Sequence, residues 1–185
     1  MREENKMSRE ALLIIDMSND FVSDKGNLTV GKPAQQIVPN IISAANRFLK
    51  NDQVVVICMD NHKENDQHFE LWPVHNVEGT WGQKLFDGLE EWYQEHKSNP
   101  NVIYVAKPEY DAFFNTELDV ELKDRDVTKV HLTGVCTDIC NFLTAYGAYA
   151  RGYKTVAHQD KMATFTDHHD TFINHMATVF KTEIV

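Results

Sequence analysis

Three unbroken apolar stretches constrain the fold of this chain more than any other feature of its sequence. They are residues 11–15 (ALLII), 54–59 (VVVICM) and 102–105 (VIYV), and two weaker stretches follow at residues 130–133 (VHLT) and 154–157 (KTVA). Continuous rather than alternating apolarity is typical of parallel strands that are covered on both faces of a sheet. The sequence therefore predicts a parallel sheet buried between two layers.

Helical patterns lie between these stretches. Pro33 suits a first helical turn, and an apolar stripe follows it at Ile37, Ile41, Ala44, Ala45 and Phe48. Further helices are predicted around residues 118–122, over 138–152 and over 167–180. Alternating strands and helices predict a single α/β domain with a doubly wound, Rossmann-like, mostly parallel sheet flanked by helices.

Length and composition narrow the class of protein. The 185 residues suit one domain, expected over residues 11–185 after a charged segment at residues 1–10 that has no apolar core of the signal-peptide kind. A net charge of −10 argues against binding to nucleic acid, and no apolar run is long enough to span a membrane. Three cysteines, an odd number, need no disulfide framework, so we expect a cytoplasmic protein.

The predicted strands end in reactive side chains. Asp16, Asp60 and Lys107 close the first three strands, and the fourth leads to Cys140. Ligands bind outside the carboxyl ends of strands in open α/β sheets, so these four groups are expected to converge. Each alone has a structural explanation, because free cysteines are often buried and most lysines are solvated. Together they fit amide hydrolysis, with a thiol nucleophile, a carboxylate base and a lysine that stabilises the charged forms.

Cys140 lies in the segment GVCTDIC at residues 134–140, where a strand turns into a helix. A helix N-terminus and a nearby cation lower the pKa of a thiol, so we expect a thiolate here. Backbone N–H groups of the same turn could face a developing oxyanion. Metal binding by Cys136 and Cys140 is an alternative, although C-x3-C is not a common zinc spacing.

The long segment between residues 60 and 82 brings three histidines close in sequence to the carboxylates of Asp60 and Glu70, and the histidines are His62, His68 and His75. Long loops within a compact domain are usually functional. Imidazole and carboxylate ligands suit zinc, iron or manganese, so this segment is a candidate metal site. The alternative is a polar surface loop with incidental histidines.

Five motifs occur in order along nearly the whole chain. They are IIDMSNDF at residues 14–21, DNH at 60–62, WPVH and GTWG at 72–75 and 79–82, KPEYDAF at 107–113, and GVCTDIC at 134–140. In this combination the sequence resembles the isochorismatase-like cysteine hydrolases, and within them the bacterial nicotinamidases (pyrazinamidases). The resemblance implies an amidohydrolase that converts nicotinamide to nicotinate and ammonia, as a step of NAD salvage.

The resemblance also implies roles for individual residues. Cys140 attacks the carboxamide carbon and forms a thioester, Asp16 is general base and acid, and Lys107 completes the triad. The oxyanion hole is formed by the N–H groups of Cys136 and Cys140, and the family's non-proline cis peptide matches the bond between Val135 and Cys136.

A divalent metal, zinc before iron or manganese, is a further implication. Asp60, His62 and His75 would hold it so that it coordinates the ring nitrogen of the substrate. Relatives place either a glutamate or a histidine at the fourth position. We favour Glu70 over His68, because END at 64–66 and the following His-x-Glu at 68–70 match the nicotinamidases closely.

Three aromatic residues, Phe21, Trp72 and Tyr110, would form the walls around the flat ring. A homo-oligomer is expected by analogy with relatives. Three alternatives stay open: another amidohydrolase of the same superfamily that acts on a different small amide or carbamoyl substrate, a catalytically silent binding module, and a structural metal-binding protein.

Overall fold

Six parallel strands form the framework of the structure, a computed structural model that describes residues 9–185. The strands are β1 (Arg9–Ile15), β2 (Val54–Asp60), β3 (Val102–Lys107), β4 (Val127–Val135), β5 (Lys154–Ala163) and β6 (Glu183–Ile184). Their order in the sheet is β3-β2-β1-β4-β5-β6, and every neighbouring pair is parallel. The chain therefore starts at the centre of the sheet and builds outward on both sides, which confirms the predicted fold class.

All five predicted strands are present. Every residue of β2 is buried, which explains its unbroken apolarity. The more mixed β4 and β5 are longer than predicted, since they begin at Val127 and continue to Ala163 respectively. Strand β6 was not predicted, because two residues show no periodicity.

Within residues 9–185, six α-helices connect and cover the strands. They are α1 (Asn19–Val22), α2 (Lys32–Lys50), α3 (Gly88–His96), α4 (Leu118–Asp124), α5 (Phe142–Ala150) and α6 (His169–Val179), with a 3₁₀ turn at Gln67–Glu70 and a π-helical turn at Thr137–Asn141. Pro33 lies in the first turn of α2, as predicted. Helix α3 was not predicted, because Leu89 and Trp92 are its only buried residues and make a short stripe.

Two apolar cores lie on opposite faces of the sheet, because successive side chains of a strand point to opposite sides. On one face Leu12 packs in a cluster with Ile41 of α2. On the other face Leu13 belongs to a cluster with Ala145 of α5 and Met176 of α6. Both cores include β1, so the position of its carboxyl end is fixed from both sides.

The predicted charged segment at residues 1–10 lies outside the described residues as far as residue 8, and its last two residues belong to β1. The side chain of Arg9 donates hydrogen bonds of 2.7 Å to the Asp52 carbonyl and to Asn101 Oδ1. Within residues 9–185, the helices are all too short or too polar to cross a membrane.

Candidate active site

The carboxyl ends of three neighbouring strands and the turn after β4 bring the four predicted reactive groups together. Asp60 pairs with Lys107 in the register of β2 and β3. On the other side of β1, Gly134 has a φ of 102°, and a Cβ there would lie 2.0 Å from the Ile15 carbonyl oxygen. Only glycine allows this close approach, which places the turn carrying Cys140 directly beside the end of β1.

Lys107 is the centre of this group. Its ammonium lies 2.8 Å from Asp16 Oδ2 and 3.8 Å from Cys140 Sγ, and it also pairs with Asp60 Oδ1. The Lys107 side chain is fully buried, an arrangement that is stable only when the charge is paired. The contact between the Lys107 ammonium and Asp16 Oδ2 is a buried ion pair. A carboxylate oxygen of Asp16 also lies within 4.8 Å of Cys140 Sγ, so Asp16 is placed to take the proton of the thiol.

The ionisation of the group follows from burial and from the two carboxylates. Burial and the charge of Asp60 raise the pKa of Asp16 to about 6, although Lys107 opposes the shift. Burial opposes the ionisation of Asp60, but Lys107 and His62 outweigh it and lower the pKa of Asp60 to about 2. Burial also opposes the charge on Lys107, yet the two carboxylates hold its pKa well above the usual range. The resting group therefore contains one cation between two carboxyl groups.

The thiol of Cys140 differs from the sequence-based expectation of a thiolate. Burial raises its pKa well above the ordinary value, and the charge of Lys107 offsets this only in part. The residue Cys140 is 5% exposed, so loss of solvation is the largest influence on the pKa of its thiol. Carboxylate oxygens of Asp16 and Asp60 and the Sγ of Cys140 lie within 4.8 Å of one another. A neutral thiol therefore rests beside carboxylates that can take its proton.

The turn around Cys140 has the unusual backbone that the resemblance implied. The bond between Val135 and Cys136 is cis. The carbonyl of Cys136 accepts hydrogen bonds from the N–H groups of Ile139 at 3.2 Å and Asn141 at 3.1 Å. These bonds close the π-helical turn, and both Cys136 and Cys140 line the same cavity.

Three histidines from the long segment form a second cluster next to this group. Ligand nitrogens of His62, His68 and His75 lie within 4.8 Å of one another. Asp60 connects the two clusters, because its Oδ2 lies 3.8 Å from His62 Nε2 and 3.9 Å from His75 Nε2. One carboxylate therefore faces Lys107 on one side and two imidazoles on the other.

The hydrogen bonds of the histidines fit a metal site. His62 Nδ1 contacts Asp66 Oδ2 at 3.0 Å, and His75 Nδ1 contacts the Pro73 carbonyl at 2.6 Å. Both partners are hydrogen-bond acceptors, so Nδ1 of each ring is the donor. A neutral ring therefore presents an unprotonated Nε2 to the centre of the cluster. His62 Nε2 is buried and has no hydrogen-bond partner in the described part of the chain. An orphaned acceptor facing other ligand atoms is what a cation would satisfy.

The choice of Glu70 as fourth ligand needs correction. Glu70 is exposed and lies outside the cluster, whereas His68 is part of it and stacks on His62 with ring centroids 4.7 Å apart. Both residues belong to one 3₁₀ turn, in which residues two apart point in different directions. The geometry therefore favours Asp60, His62, His68 and His75 as the ligand set.

A cavity above Cys140 contains the aromatic residues that the sequence predicted. Phe21, Trp72 and Tyr110 line it together with Asp16, Asp60, His68 and His75. Trp72 Nε1 donates a 2.9 Å hydrogen bond to the Tyr110 hydroxyl, which fixes two of the walls against each other. Phe165 also lines the cavity, its ring centroid 6.2 Å from that of Trp72. Phe165 was not predicted, because nothing near it in the sequence marks a site.

Comparison with known proteins agrees with this geometry. The family model of the isochorismatase domain matches residues 10–184. The chain is 40% identical over 173 residues to the uncharacterised isochorismatase family protein PncA of Bacillus subtilis, which covers 91% of this chain and 94% of that protein.

Solved structures extend the comparison. The crystal structure of nicotinamidase PncA from Bacillus subtilis has a TM-score of 0.92 and 39% identity, covering 96% of this chain and 99% of that one. The pyrazinamidase of Pyrococcus horikoshii in complex with zinc has a TM-score of 0.84 and 25% identity. The match covers 96% of this chain and 98% of that one.

Proposed function

We propose that this chain, which belongs to the isochorismatase family, is a nicotinamidase that hydrolyses nicotinamide to nicotinate and ammonia. Hydrolysis of an amide C–N bond fits the family and the nicotinamidases among its similar structures. The observation that carries the specific proposal is the shared cavity. Cys140 and the histidine cluster open into the same aromatic-lined space. This arrangement suits a flat ring with a carboxamide at one end and a ring nitrogen at the other.

The first half of the reaction forms a thioester. Asp16 takes the proton from the Cys140 thiol, and Sγ forms a bond to the carboxamide carbon. The N–H groups of Cys136 and Cys140 stabilise the negative oxygen of the tetrahedral intermediate. Asp16 then gives its proton to the amide nitrogen, the C–N bond breaks, and ammonia leaves. Lys107 stays protonated throughout and keeps both carboxylates oriented.

The second half releases the acid. Asp16 takes a proton from a water molecule, whose oxygen attacks the thioester carbon. The tetrahedral intermediate that forms collapses with loss of the C–S bond, and the sulfur regains a proton from Asp16. The product is nicotinic acid, which releases its proton to solvent to give nicotinate, and the thiol and the carboxylate return to their initial states.

Asp60, His62, His68 and His75 would hold a divalent metal, for which zinc is our choice, and when bound it supplies a Lewis acid for the ring nitrogen. The chain's own residues prepare that site. Asp66 and Pro73 fix the tautomers of two of the histidines. The aromatic residues that line the cavity would contact the flat ring of the substrate.

The proposed setting is NAD salvage in the cytoplasm. All three cysteines are free, which suits a reducing compartment. The predicted homo-oligomer and the predicted absence of nucleic-acid and membrane partners remain predictions. An amidohydrolase that acts on another small amide or carbamoyl compound is the second candidate.

Ammonia release from a panel of substrates tests the proposal. Nicotinamide and pyrazinamide should be hydrolysed, whereas benzamide, which lacks the ring nitrogen, should be at least about 100-fold poorer, because a site built to bind a polar atom rejects analogues without it. Cys140→Ala should abolish turnover, and nicotinate should protect Cys140 from iodoacetamide in the wild type. Hydrolysis of a ureido or carbamoyl compound but not of nicotinamide would establish the second candidate instead.

A further inference from the structure

Asp138 lies two residues before the nucleophile and is not needed for the chemistry described above. Both of its carboxylate oxygens accept hydrogen bonds of 2.6 Å, Oδ1 from the Thr164 hydroxyl and Oδ2 from the Thr166 hydroxyl. A carboxylate with both oxygens engaged this way is poorly placed to exchange protons with a substrate. Its bonds are charge-assisted, the stronger class of hydrogen bond, so Asp138 is suited to holding a segment in place.

The segment that Asp138 holds connects β5 to α6 and contributes Phe165 to the lining of the cavity. It begins after Ala163, which pairs with Val135 in the sheet, and it ends at His169. His169 Nδ1 lies 2.9 Å from the hydroxyl of Thr137, the neighbour of Asp138. Hydrogen bonds thus attach the start, middle and end of the segment to the turn at Thr137–Asn141, here called the nucleophile turn.

Phe165 lies between the two threonines of this segment. Its ring lines the cavity and meets Trp72 edge to face. Phe165 is 44% exposed, so burial alone does not fix its position. The hydrogen bonds on either side of Phe165 are what restrict the backbone that carries the ring.

We propose that Asp138 is a positioning residue for substrate binding, which acts through Thr164 and Thr166 to keep Phe165 in place as the fourth aromatic wall of the cavity. This inference rests on the proposed function, since that wall would contact the flat ring of the amide. A wall that contacts the ring before and during the reaction alike contributes uniform binding. Its loss should therefore raise KM and leave kcat nearly unchanged.

Three variants and one control test the proposal. Thr164→Val with Thr166→Val removes both donors and keeps the acid, Asp138→Asn removes the charge, and Phe165→Ala removes the ring. Thr178→Val is the control, because the Thr178 hydroxyl donates to the Asn174 carbonyl of its own helix. The three variants should each raise KM for nicotinamide about tenfold with kcat within about threefold, while Thr178→Val stays near wild type.

The decisive comparison is between single and combined variants. If Asp138 acts through Phe165, adding the double threonine change to Phe165→Ala should raise KM by less than about twofold more. An equal additional rise in that background would overturn the proposal, as would a fall in kcat at constant KM, which would place the effect at the nucleophile turn.

A readout that needs no substrate separates this proposal from the proposed function. Without the Phe165 wall, iodoacetamide should alkylate Cys140 about tenfold faster in both the double threonine variant and Phe165→Ala, whichever amide the enzyme uses. Inactivity of the wild type on nicotinamide together with this acceleration would reject the substrate and keep the positioning role. Alkylation at the wild-type rate in the folded double threonine variant would reject the positioning role itself.

Discussion

The backbone N–H of Asp60 donates a 2.9 Å hydrogen bond to Asp16 Oδ1. Through this bond the residue that we propose as base is tied directly to the residue that links the lysine and the histidine cluster. The bond engages Oδ1 of Asp16, while Oδ2 faces the Lys107 ammonium at 2.8 Å. The proposed acid–base step and the proposed metal site therefore share one contact between the ends of two neighbouring strands.

Replacing Asp16 by Asn should separate these two functions. The carboxamide oxygen can still accept the hydrogen bond from Asp60, but it cannot take up a proton. Asp16 has a φ of 54°, a conformation that asparagine also adopts, so the fold should be preserved. We expect turnover to fall about 10²- to 10⁴-fold, the usual contribution of a general base, while metal content is unchanged. Ammonia release and elemental analysis measure the two effects, and a variant that keeps more than a tenth of wild-type turnover would show that Asp16 is not the base.

Replacing Lys107 by Met should destabilise the whole protein. The change leaves Asp16 and Asp60 buried together without their cation, which typically costs about 3–5 kcal/mol in the free energy of unfolding. Lys123→Met is the matched control, because the Lys123 side chain is 61% exposed and its pair with Asp119 should contribute less than about 1 kcal/mol. Urea unfolding compares the two, and equal losses would mean that the buried charge group is not what stabilises this edge of the sheet.

Metal content should distinguish His68 from Glu70. His68→Ala removes a ligand nitrogen from the cluster, so affinity for zinc should fall at least about tenfold. Loss of a residue that only hydrogen-bonds to a ligand already has an effect of about this size. Glu70→Gln changes an exposed side chain outside the cluster and should leave affinity unchanged. Each protein is stripped with a chelator, reloaded and analysed by elemental analysis. Full loading of His68→Ala with loss in Glu70→Gln would return the assignment to Glu70.

His158 should make stability depend on pH away from the active site. Burial, together with nearby His131, lowers the pKa of His158 from 6.5 to about 4, and His131 Nδ1 lies 2.9 Å from His158 Nε2. The unfolded chain therefore binds a proton at higher pH than the folded one, so this contribution to stability is present above pH 6.5 and is lost as the pH falls towards 4. The loss amounts to at most about 3 kcal/mol.

Unfolding of His158→Gln checks this dependence. The variant should lose less stability than the wild type between neutral pH and pH 4, whereas the same change at His168, whose side chain is 57% exposed, should follow the wild type. Identical pH profiles for the wild type and His158→Gln would show that His158 does not titrate with unfolding.

A structural feature could be predicted from the sequence when it depends on residues that are neighbours along the chain. The ends of β1 and β2 were predictable because burial on both faces leaves an unbroken apolar run that stops at a polar residue. The run of β3 also stops at a polar residue, although β3 is an edge strand and its Tyr104 is exposed. The spacing of His68 and Glu70 did not reveal which of them faces the cluster, because that depends on a 3₁₀ turn that the sequence does not mark. The pKa of Cys140 was misjudged for a related reason, since its charged neighbours were predicted but the degree of burial was not. Phe165 reaches the cavity only through contacts with residues far away in the sequence.

The order of the strands decides when during synthesis this chain can become reactive. The first three strands carry Asp16, Asp60 and Lys107, and the histidine cluster lies between the second and the third. Strand β4 joins β1 through contacts such as the 2.8 Å hydrogen bond from the Thr133 hydroxyl to the Leu13 carbonyl, across 120 residues of sequence. Contacts between such distant residues form late, because a long loop must close first. A ribosome-bound chain that ends before residue 140 holds the proposed base, the lysine and the histidines but no nucleophile, so hydrolytic reactivity cannot precede the synthesis of β4 and the turn that follows it.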